Sequence, residues 1–65
     1  MNEETIEALE TAALIAETEY QIKCSYEQFK NDLKNEYQRY DNVLPFESPE
    51  VQSWLIREYP LVYQK

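Results

Sequence analysis

Between Asn2 and about Asp41, apolar residues recur at steps of three and four, and neither proline nor glycine interrupts them. That pattern predicts helix throughout. A first series, Ile6, Leu9, Ala13, Ala16 and Tyr20, marks one face. A second, Ile22, Tyr26, Phe29, Leu33, Tyr37 and Tyr40, follows the same rule. The two series are out of phase, because Tyr20 to Ile22 is a step of two. One continuous helix of about 39 residues would run roughly 58 Å, longer than a compact domain of this size, and would need a partner along its length. The alternative is a kink or break near residues 23–25, where Ser25 followed by Gln28 reads as a capping box opening a second helix. With no glycine or proline at that point, the continuous or gently kinked form is favoured.

Element ends are marked by polar and proline residues. Asn2 is placed as an N-cap, with Glu3 and Glu4 against the positive end of the helix dipole. Asp41 and Asn42 favour a turn, and Pro45 pushes Leu44 out of helical geometry, so a loop is expected over about 42–48. Ser48 as N-cap, Pro49 at the first helical position and Glu50 in the first turn then predict a short helix over about 49–58. Val51, Trp54 and Leu55 form its apolar stripe, and Pro60 leaves residues 59–65 as a tail. The expected fold is therefore all-α: one long N-terminal helix, continuous or broken near 23–25, and one short C-terminal helix in a single domain over residues 1–65. Trp54 is expected to cover Phe29, Leu33 and Tyr37.

Length changes the picture because 65 residues bury little apolar surface, and stability should be marginal without help. A lone cysteine, Cys24, excludes an internal disulfide, and the absence of histidine makes a closed zinc site implausible. Cys24 reads as a small packing residue, since no histidine is present to activate it. Association with another chain remains, and homo-oligomerisation is expected. The absence of glycine removes phosphate-cradling loops such as the P-loop and the dinucleotide fingerprint. No cofactor, metal or catalytic residue is assigned, and the chain is not expected to be an enzyme. The acidic N-terminus and the short apolar run Ala12 to Ala16 point to a cytoplasmic protein that neither spans nor binds a membrane.

Charge is uneven. Of the net charge of −7, six acids lie in residues 1–22 (Glu3, Glu4, Glu7, Glu10, Glu17 and Glu19) with no Lys or Arg among them. Residues 23–41 balance four bases against four acids, with Glu19–Lys23 and Glu36–Arg39 at helical spacing. Glu3, Glu7, Glu10 and Glu17 share one helix face. They form either a solvated surface or a docking stripe for a basic groove, one that normally holds nucleic-acid phosphates. Direct nucleic-acid binding is disfavoured by the same charge. Trp54, Phe29 and most of the six tyrosines are expected to fill a small core, but the run Trp54-Leu55-Ile56, Tyr59, Leu61, Val62 and Tyr63 is apolar on more than one side of a short helix, which makes Ile56, Tyr59, Leu61 and Tyr63 further candidate contacts. The expected function is a small acidic protein-binding module, in its sharpest form a phage or mobile-element inhibitor of a larger protein. The competing expectation is an assembly subunit that pairs with itself along Ile6, Leu9, Phe29 and Leu33.

Overall fold

The structure, a computed structural model, describes residues 1–23 and 25–63. Cys24 and the Lys23 side chain of the expected Glu19–Lys23 pair lie outside the described residues. The chain is all-α, with α1 over Glu3–Lys23, α2 over Tyr26–Tyr37, α3 over Pro49–Glu58 and a single turn, α4, over Pro60–Tyr63.

The N-terminal helical region is broken, not continuous. Ser25 leaves helical geometry at φ −121° and ψ 119°, and its Oγ accepts the Gln28 N–H at 3.2 Å. Only half of the capping box is built, since the Gln28 side chain donates forward to Asp32 Oδ1 at 2.8 Å instead of back to Ser25. A polar cap thus ends one helix and starts another without glycine or proline. The longest dimension of the molecule is 31 Å, which leaves no room for the single long helix. α2 instead folds back antiparallel along α1. Tyr20 near the end of α1 stacks on Tyr26 at 5.7 Å and meets Phe29 edge-on at 5.9 Å, while Thr5 and Tyr37 meet at the opposite end of the hairpin.

Close approach of the two helices follows from α1's side chains. Ala8, Ala12 and Ala16 fall at successive steps of four and are fully buried with Leu9 and Ala13 against Phe29, Leu33 and Tyr37. Small residues let two backbones come together, so α2's large side chains can fill the seam. Of Ile6, Leu9, Phe29 and Leu33, the expected seam between copies, the last three are buried inside one chain and Ile6 is half-buried.

α2 ends at Tyr37, before the expected boundary near Asp41. The Arg39 and Tyr40 N–H groups turn back on the Glu36 and Tyr37 carbonyls, and Asn42 takes a left-handed φ of 60°, which asparagine tolerates better than most residues. The early stop swings Leu44 over the hairpin's end. Its N–H donates to Thr5 Oγ1 at 3.1 Å, and its carbonyl accepts the Tyr37 hydroxyl. Thr5 is held in turn by the N-cap, with its N–H donated to Asn2 Oδ1 at 2.9 Å.

α3 occupies the span expected of it and lays Val51, Trp54 and Leu55 into the same core as the hairpin's buried residues. Ser48 holds the N-cap position, but its hydroxyl has no partner among the described residues. The expected tail is helical over one turn. Tyr59 leaves helical geometry ahead of Pro60 at φ −133° and ψ 62°, Pro60's fixed φ starts a new turn, and the Val62 and Tyr63 N–H groups bond the Tyr59 carbonyl. That turn brings Tyr59 and Tyr63 onto Phe29 at 5.3 and 6.5 Å.

Candidate functional site

The candidate contacts separate into those engaged within the chain and those that face solvent. Glu17 is half-buried, and its Oε1 accepts the Tyr59 hydroxyl at 2.7 Å. Burial, reinforced by the Glu17 carboxylate beside it, pushes the Tyr59 phenol well above the usual tyrosine range. Tyr63 is raised in the same direction, chiefly by burial of a hydroxyl that has no partner among the described residues, and the Lys30 ammonium sits 5.5 Å from its ring centroid. These three residues hold the C-terminal segment on the hairpin. Ile56 and Leu61, by contrast, are exposed.

Glu3, Glu4, Glu7 and Glu10 are exposed as well, and among the described residues none of them has an ion pair. The ion pairs seen lie elsewhere: Lys34–Glu47, Arg39–Glu36 and Arg57–Glu58. In the first turn, Glu3 and Glu4 gain from the helix dipole, but that effect fades beyond one turn and does not reach Glu7 or Glu10.

The outward side of α1 also carries exposed apolar residues: Leu14 and Ile15, which belong to neither apolar series, and Ile22, which heads the second series yet lies outside the core. Leu14 is 65% exposed and Ile22 72%, with Ile15 exposed beside them. Positions 4, 7, 11, 15, 18 and 22 follow steps of three and four, so Glu4, Glu7, Thr11, Ile15, Thr18 and Ile22 share one face. This face borders α2 on the flank of α1 away from Tyr59. Two concavities lie along it. One, of about 360 Å³, lies between α1 and the loop and is walled by Glu4, Glu7, Thr11, Tyr40 and Asp41. The other, of about 530 Å³, lies between α1 and α2 and is walled by Ile15, Thr18, Asp32, Asn35 and Arg39. Asp32 Oδ1 is committed to Gln28, and its Oδ2 has no donor among the described residues.

Among the described residues no group of three or more Asp, Glu, Cys or His is placed to hold a metal ion, and no helix is long and apolar enough to cross a membrane. The arrangement offers negative charge and apolar surface side by side along one helix. Comparison with known proteins gives no matching family, no matching curated protein and no matching solved structure.

Proposed function

We propose that this chain is a protein-binding module that presents the outward side of α1 to a positively charged surface of a larger protein. The observation that carries the reading is the unneutralised charge of α1. Glu3, Glu7 and Glu10 face solvent with no cation among the described residues paired to them, beside a leucine that the chain's own core does not use. Like charges held on one face repel one another, and a cationic partner would relieve that repulsion. Four acids, Glu3, Glu4, Glu7 and Glu10, fall within about 10.5 Å of helix axis, or roughly one per 3.5 Å, close to the 3.4 Å spacing of phosphates along one DNA strand. That density supports the narrower form of the proposal, in which the partner's basic surface is one that otherwise holds nucleic acid.

Pairing with a second copy gains less support, because Leu9, Phe29 and Leu33, three of the four residues expected to form that seam, are buried within the chain's own core. The experiment is to isolate the partner from an extract of the source cell and compare its association kinetics with the parent chain and with E3Q/E7Q/E10Q. Gln and Glu have similar helix propensity, so helicity should persist. The variant is expected to associate at least about tenfold more slowly at low salt, with little change in the dissociation rate. An unchanged association rate would return these acids to a solvated surface and end the proposal.

A further inference from the structure

The two concavities beside α1 are consecutive stretches of one groove. Thr11 and Ile15 are one helical turn apart, and Arg39 and Tyr40 are neighbours in sequence, so the first concavity passes into the second along the hairpin. From Glu4 to Thr18 the lining follows α1 for about 21 Å, and the exposed Ile22 one turn further extends the surface to about 27 Å, the length of a helix of about 18 residues. Its walls carry acid and apolar surface: Glu4, Glu7 and Asp41 at one end, Ile15 and Thr18 at the other, with Asp32 and Glu36 on the α2 side and the exposed Ile22 one helical turn beyond Thr18. Arg39 is the one cation named among the lining residues, and it is within 3.7 Å of Glu36.

We infer that this groove is the seat of a basic amphipathic helix from the partner, which lies between α1 and α2 as a further helix of the bundle. The inference rests on the protein-binding function proposed above and names the element that is bound. Charge selects the occupant. A second copy would bring an α1 whose residues 3–22 hold six acids and no Lys or Arg against the same acids, whereas a helix with one apolar stripe flanked by Lys and Arg matches both kinds of wall. Its apolar stripe covers Leu14, Ile15 and Ile22. Its cations reach Glu4, Glu7 and Asp41, where the exposed Tyr40 ring offers a face for one of them. Asp32 Oδ2, the carboxylate oxygen without a donor, lies on the same wall. Helices that proteins insert into nucleic-acid grooves are of this basic kind, so the inference agrees with the narrower form of the proposal.

The test uses two synthetic peptides of about 18 residues and identical composition. One places leucine at helical steps of three and four with lysine elsewhere, and the other has the same residues in scrambled order. Fluorescence anisotropy gives their affinities for the full chain, and amide shifts locate the contact. The patterned peptide is expected to bind at least about tenfold more tightly than the scrambled one. The shifts should centre on Thr11, Ile15, Thr18 and Asp32. I15S/I22S should abolish that preference while melting like the parent, since both side chains are exposed. Equal affinity for the two peptides would overturn the inference and leave the charge-led function standing. If neither peptide binds, the inference falls, and the proposed function rests on the E3Q/E7Q/E10Q kinetics alone. Concentration-dependent sedimentation of the parent that I15S/I22S removes would assign the groove to a second copy and overturn it as well.

Discussion

Leu44 is tied to both helices of the hairpin, and Tyr37→Phe is the cleanest way to measure what that tie contributes. The Tyr37 ring is almost fully buried and would remain as phenylalanine, so little apolar burial changes. What is lost is the hydroxyl donated to the Leu44 carbonyl. Leu44 is half-buried, so its carbonyl recovers water only in part, and the expected cost is about 1–2 kcal/mol. For a domain this small that corresponds to a melting temperature lower by roughly 5–15 °C. Thr5→Val removes the acceptor of the Leu44 N–H at nearly constant shape and should cost about as much. Because both bonds hold the same residue, the double variant should fall short of the sum by about 0.5–1 kcal/mol. Thermal melts followed by circular dichroism, with urea midpoints as a second measure, give all three values. A Tyr37→Phe protein that melts within about 2 °C of the parent would refute the claim that this loop is anchored through Leu44. Strict additivity would show that the two bonds act independently.

Trp54 is 9% exposed and rests on Tyr59 at 6.2 Å. Trp54→Ala should cost roughly 3–5 kcal/mol, much of what a chain this size has in reserve, and a preserved cooperative melt at the parent temperature would contradict its place in the core. Ala12→Leu inserts a large side chain where α1 and α2 meet and should destabilise by about 1–3 kcal/mol in urea titration, whereas a neutral result would mean the helices are not closely apposed. Tyr37, Tyr59 and Tyr63 all have phenols raised above their ordinary value, mainly by burial. The unfolded chain therefore loses these protons first. Stability from this source is complete below about pH 10 and declines as pH rises beyond it, so a urea midpoint that holds steady from about pH 9 to about pH 11 would oppose the assignment.

The elements legible in the sequence were those written in local signals. Ser48, Pro49 and Glu50 located α3, and Asn2 located the start of α1, because caps act over three or four residues. The break at Ser25 had its signal too, but choosing it required knowing that α2 could bury Phe29 and Leu33 against α1, a non-local gain. The alanine seam was half visible: Ala13 and Ala16 stood in the first series, but Ala8 and Ala12 did not, since small residues carry little weight in a pattern of hydrophobicity. The acidic residues were found at once, whereas the groove beside them depends on where α2 comes to lie. Glu17 and Tyr59, both expected to face a partner, face one another across 42 positions of sequence, a pairing that no helical period reveals.

The attachment of α3 bears on how the molecule opens. α1 and α2 are sealed along their length by alanines, whereas α3 is held through Val51, Trp54 and Leu55 and the aromatic rings that follow it. The C-terminal third is accordingly the unit that detaches first in local unfolding, and its amides should exchange with solvent deuterium ahead of those in the hairpin. Each such excursion bares Leu9, Phe29 and Leu33 on a hairpin that is still formed. The species most exposed to proteolysis and aggregation is thus a nearly native one with its C-terminal latch undone.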